Sequence, residues 1–90
     1  MVLERQAKIQ NKLGLHARAA SVFVQKAQGF SSRISVRNSN TSADGKSIMN
    51  MMMLQASIGS EIIIKIDGDD QEQAMIAILA LIDDKFGEGE

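Results

Sequence analysis

The segment Glu61–Asp67, EIIIKID, puts Ile62, Ile64 and Ile66 on one side of an extended chain and Glu61, Ile63, Lys65 and Asp67 on the other. Successive side chains of a strand point to opposite faces, so this segment can bury only one of them, and its backbone needs hydrogen-bonding neighbours. The chain must therefore build a sheet with one covered face and one wet face. Residues 2–10 alternate in the same way, with Leu3, Arg5, Ala7 and Ile9 on one side and Glu4, Gln6, Lys8 and Gln10 on the other, Arg5 being out of place. Residues 33–37 turn Ile34 and Val36 inward, and residues 41–43 are too short for more than an edge strand.

From Ala17 the period changes. Ala20, Phe23, Val24 and Ala27 fall at i, i+3, i+4 and i+7, the apolar stripe of a helix. Gly29 is placed to end it as the C′ residue, with Phe30 folding back as the hydrophobic contact. Asp44-Gly45-Lys46 turns the chain into Ser47, which N-caps a short helix over 48–55, with Met51, Leu54 and Ile58 on its buried side. Ile58-Gly59-Ser60 breaks the chain before the strand. A long helix is expected over 71–86, its stripe made of Ala74, Ala77, Ile78, Leu81, Ile82 and Phe86. The order β-α-β-β-α-β-α, with amphipathic helices covering one side of a small antiparallel sheet, gives an α+β open-faced sandwich. Ninety residues suffice for one domain, 1–90, whose tail at 87–90 is expected to fray.

The longest uninterrupted apolar run, 74–82, is well short of the roughly 18 residues that a membrane span needs. Glu4, Arg5 and Lys8 interrupt any signal-peptide pattern, and there is no cysteine for disulfides or thiolate metal sites. A cytoplasmic protein without membrane insertion is the expectation. A net charge of −1 and only three aromatic residues argue against nucleic acid as a partner. Asp44-Gly45-Lys46-Ser47 imitates the end of a P-loop, but the motif needs glycine where Asn40 stands, so nucleotide binding there is rejected. Asn40-Thr41-Ser42 matches a glycosylation sequon, which carries no weight without a secretory route.

His16 is the only histidine, between Gly14 and the alanine-rich helix start, with Arg18 two residues on. At Ncap or N1 it faces unpaired backbone amides and the positive end of the helix dipole, surroundings that suit a neutral, nucleophilic ring. The same amides and Arg18 could receive the oxygens of an attached phosphoryl group. An incidental capping histidine explains the residues as well. Metal binding is unfavourable without a second histidine or a cysteine, and no cofactor is expected. Residues 48–54, IMNMMML, are apolar nearly all round. They fit either a helix sunk in the core or an adaptable partner surface of thioether side chains.

Gly14-Leu15-His16-Ala17-Arg18 resembles the active-site motif of the HPr family, the histidine phosphocarriers of the bacterial phosphotransferase system, and Lys46-Ser47-Ile48-Met49 resembles its regulatory-serine segment. The likeness spans the chain, and Asn11-Lys12-Leu13-Gly14-Leu15-His16 is similar to the nitrogen-related, NPr-like branch. It implies a four-stranded antiparallel sheet with three helices on one face. It also implies a carrier that is a protein substrate of larger enzymes and not a stand-alone catalyst. His16 would accept a phosphoryl group on Nδ1 from enzyme I, charged by phosphoenolpyruvate, and pass it to EIIA-type proteins in sugar uptake or nitrogen-related regulation. Arg18 and the Ala17 and Arg18 amides would steady the group. Leu15, Ile48, Met49 and Met52 would form the partner surface, and Ser47 would be the site of an HPr kinase/phosphorylase. A monomer is expected. Ala19 replaces the family's usual proline, and Gln25, Gln28 and Asn50 stand where sugar-branch proteins often carry lysine. The alternative from another class is an unphosphorylated α+β adaptor that binds partners through the methionine helix.

Overall fold

The strand Glu61–Asp67 (β4) sits inside the sheet, where its one-sided isoleucines dictate the register of its neighbours. A computed structural model describes residues 2–90; Met1, the first residue of the expected domain, lies outside them. The remaining elements are β1 (Leu3–Lys8), α1 (Ala17–Gln28), β2 (Arg33–Arg37), β3 (Ser42–Asp44), α2 (Ile48–Met53) and α3 (Gln71–Asp83). The four strands form one antiparallel sheet in the order β1-β4-β2-β3. Leu3, Ile66 and Ile34 lie in one cross-strand row, and Arg5, Ile64, Val36 and Ala43 in the next. Ile62, Ile64, Ile66, Ile34, Val36 and Ala43 are all buried. Arg5 stays exposed because β1 is an edge strand and the long side chain can leave the row.

The reverse face carries Glu4, Lys65, Ser35 and Asp44 in register and remains open to water, as in the open-faced α+β sandwich expected. α1 packs between α2 and α3, α2 reaches β3, and α3 lies over β1 and β4. The core between them gathers Phe23, Val24, Met51, Leu54, Ile78, Ile82 and Phe86. None of the helices is long and apolar enough to cross a membrane among the described residues.

Several boundaries differ from expectation. α2 stops at Met53, and Gln55 has φ 51°, a left-handed residue that turns the chain early. Ile58 is 56% exposed, so it does not belong to the buried side of α2. Gly29 ends α1 with φ −74°, in helical and not left-handed conformation, its amide bonding the Lys26 carbonyl. α3 ends at Asp83, not Phe86. Lys85 and Phe86 both take left-handed backbone (φ 56° and 55°), and Phe86 reaches the core from this turn. Such geometry costs a non-glycine residue roughly 1–3 kcal/mol. The burial of Phe86 offsets that cost, and it dictates where the last four residues go.

Candidate functional site

His16 is the N-cap of α1, with extended backbone (φ −76°, ψ −179°) and a ring that makes no capping hydrogen bond. Its carbonyl accepts the Ala20 amide at 2.9 Å, the first bond of the helix. The amides of Ala17, Arg18 and Ala19 therefore have no acceptor among the described residues, and they concentrate partial positive charge beside the ring.

The loop before the histidine is held by close backbone packing and hydrogen bonds. Gly14 has φ +69°, and a Cβ there would stand 2.4 Å from the Ala56 carbonyl oxygen. Only glycine lets the two backbones approach so closely. The contact is completed by the Leu15 amide, which donates to that oxygen at 2.8 Å. Asn11, fully buried, donates from Nδ2 to the Gly14 carbonyl at 2.8 Å. His16 is thus held from behind by the segment that follows α2.

The other wall comes from the tail. The left-handed turn at Lys85 and Phe86 brings Glu88 over the imidazole, where Oε2 lies 2.5 Å from His16 Nε2. Oε1 accepts the second Nδ2 bond of Asn11 at 2.9 Å. Arg18 Nη1 stands 3.3 Å from Oε2 and 3.5 Å from the Phe86 carbonyl. Burial pushes the Glu88 carboxyl up, but hydrogen bonds from Asn11 and His16 and the charges of His16 and Arg18 outweigh it and hold the group below its ordinary value. An ionised carboxylate can only accept, so Nε2 carries the proton of this bond. No hydrogen bond engages Nδ1 among the described residues. The depression around the ring is lined by Lys12, Leu13, His16, Arg18, Gly87, Glu88 and Glu90.

The tail at 87–90 is therefore not frayed: Glu88 is only 12% exposed, and the Lys12 amide bonds the Glu90 carbonyl. Neither Glu88 nor Asn11 stands out in the sequence as a site residue. The tail reads as acidic and glycine-rich, and Asn11 reads as a turn residue. The one available signal is Phe86, an aromatic residue four positions from the end that has to be buried somewhere.

Ser47 caps α2, its Oγ accepting the Asn50 amide at 3.2 Å and the Asn50 side-chain Nδ2 at 3.2 Å. Lys46 Nζ bonds the Phe30 carbonyl at 2.7 Å, a structural task unlike that of a P-loop lysine. Ile48, Met49, Met52 and Met53 are exposed on α2, Met49 by 74% and Met53 by 66%. Leu15 is buried at 5% exposure, anchored by its amide, so it belongs to the core and not to that surface. His16, Arg18 and Glu88 form one cluster; Ser47 and the methionines occupy a different helix beside α1. Among the described residues no group of three or more histidine, cysteine or acidic side chains could hold a metal ion.

The family model PTS-HPr, described as the PTS HPr component phosphorylation site, matches residues 3–84. The chain is 48% identical over 89 residues to phosphocarrier protein HPr of Cupriavidus necator, covering 99% of this chain and 100% of that protein. It is 41% identical to phosphocarrier protein NPr of Shewanella violacea, covering 96% of this chain and 94% of the relative. The crystal structure of HPr-C-His from Thermoanaerobacter tengcongensis superimposes with a TM-score of 0.91 at 46% identity, covering 96% of this chain and 97% of that one. The chain belongs to the HPr family of phosphocarrier proteins of the phosphotransferase system.

Proposed function

We propose that His16 is the phosphoryl acceptor and donor, through Nδ1, in a relay from phosphorylated enzyme I to EIIA-type proteins. The observation that carries this reading is an imidazole whose Nδ1 has no hydrogen-bond partner among the described residues, beside three amides likewise without an acceptor among them and Arg18 at a helix mouth. The Nδ1 lone pair attacks phosphorus, the bond from phosphorus to the donor atom of enzyme I breaks, and its electron pair returns to that atom. The phosphoryl oxygens gain the Ala17 and Arg18 amides and the Arg18 guanidinium, whose 58% exposed side chain is free to turn toward them. A few donors on an open surface stabilise the group without trapping it, and the reverse step delivers it to EIIA.

Ile48, Met49 and Met52, with Met53 added by its exposure, form the docking surface. Thioether side chains adapt to differently shaped partners, which suits a carrier that meets an enzyme I and an EIIA in turn. The chain acts as a monomer in the cytoplasm, one domain without a cofactor, in sugar uptake or nitrogen-related regulation. Ser47 is the regulatory position: phosphate there would meet the N-terminus of α2 and place negative charge inside the docking surface. Failure of an HPr kinase with ATP to modify Ser47 would remove that part. The relay itself is tested by isolating the phosphoprotein and mixing it with candidate EIIA proteins. Loss of the group to one of them is the expected result, and the acceptor that drains it identifies the branch. Retention against every cognate EIIA would make the protein a sink and overturn the reading.

A further inference from the structure

The carboxylate on His16 Nε2 has no assigned task in the relay, although it is the shortest polar contact the imidazole makes. Building on the carrier reading, we propose that Glu88 is a positioning residue for phosphoryl transfer. By accepting the Nε2 proton it fixes the tautomer whose free lone pair is on Nδ1, and it offsets the positive charge that the ring acquires during attack.

Three observations converge on this role. Glu88 is placed by structure built for it: the buried Phe86 and two consecutive left-handed residues steer the chain over the site. Its second oxygen is held by Asn11, a fully buried side chain that also bonds the Gly14 carbonyl within the histidine loop. One buried amide thus bonds both the loop bearing the nucleophile and the carboxylate that orients it. The charge balance is also right. Nδ1 gains the phosphoryl group through its lone pair while Nε2 keeps its proton, so the ring becomes cationic next to an anion already in place. When the group leaves, the bonding pair returns to Nδ1 and the original tautomer is restored. The other charged groups around the ring are Arg18 on α1, Lys12 on the loop and Glu90 on the tail. Among the described residues, only Glu88 hydrogen-bonds Nε2.

The test compares wild type with Glu88→Gln and Glu88→Ala. Both should fold, since Phe86 remains to anchor the tail. Nitrogen-15 spectra of the neutral imidazole, without any phosphoryl donor, report the tautomer. Wild type should show Nε2 protonated nearly exclusively, and Glu88→Ala a mixed population. With enzyme I and phosphoenolpyruvate, Glu88→Ala should lower kcat for phosphoryl acceptance about three- to tenfold with KM for the carrier unchanged, the scale of one ordinary net hydrogen bond. Glu88→Gln should lie between the two. A tautomer population unaltered in Glu88→Ala, an unchanged kcat, or a loss confined to KM would overturn the proposal. If wild type takes up no phosphoryl group, the carrier reading itself falls, and the role of Glu88 with it. That failure is distinct, because the wild-type spectra read the Glu88 contact independently.

Discussion

Replacing Gly14 by alanine isolates the close approach that shapes the histidine loop. Two costs add. At φ +69° an L-residue pays roughly 1–2 kcal/mol in backbone conformation. The new Cβ would also stand 2.4 Å from the Ala56 carbonyl oxygen and 2.9 Å from Ser57 Cα, both backbone atoms with no rotamer to escape into. Relief requires the two segments to separate, which breaks the Leu15–Ala56 hydrogen bond, a loss of about 0.5–1.5 kcal/mol. The expected destabilisation is roughly 1.5–3.5 kcal/mol, large beside the total stability of a small domain. Gly59→Ala is the control, since Gly59 also has positive φ (+86°) but a Cβ there would meet nothing within 4 Å. It should cost only the conformational part. Urea unfolding at constant m-value measures both. A Gly14→Ala loss no larger than that of Gly59→Ala would refute the claim that backbone contact, and not conformation alone, demands the glycine.

Hydrogen bonds from the Ser32 hydroxyl and the Ser31 amide, outweighing some burial, lower Asp70 from 3.8 to about 2. A depressed carboxyl contributes stability above its unfolded value and loses it as pH falls through the folded one, so melting temperature should drop between about pH 4 and pH 2 and less steeply in Asp70→Asn; equal slopes would contradict the assignment. Phe86→Ala should cost about 3–5 kcal/mol by equilibrium unfolding, as for a large aromatic side chain removed from a core, and release the tail from His16. A loss below about 1 kcal/mol would show that Phe86 does not anchor it. The Ala19 amide has no acceptor among the described residues, so Ala19→Pro should leave α1 intact and stability within about 1 kcal/mol of wild type. Phosphoryl acceptance that appears only in Ala19→Pro would show that alanine leaves the site inert.

The sheet was legible because alternation determines burial: Ile62, Ile64 and Ile66 can share a face in only one way, and the observed register obeys it. α1 was legible from its stripe, the α2 cap from Ser47, and the N-cap position of His16 from its place between Gly14 and a helical run, whereas its proposed role rests on the family resemblance. Features that depend on distant contacts were hidden. Leu15 looks like a surface residue of the loop until Gly14 brings Ala56 close enough to bury it. Nothing local distinguishes Phe86 as the last residue of a helix from Phe86 in a left-handed turn, since only the core behind it decides. Glu88 lies 72 positions from His16, in a stretch whose composition alone suggests fraying. The placement of His16 and Arg18 at the mouth of α1 could therefore be read directly, and the approach of the tail to them could not.

The central claim is that His16 carries the phosphoryl group. Incubation with an active, cognate enzyme I and phosphoenolpyruvate, followed by intact mass, tests it most directly. The account predicts the addition of a single phosphoryl group, labile in acid and stable in alkali, that His16→Ala abolishes. No mass gain in wild type, or a gain that survives His16→Ala, would contradict it.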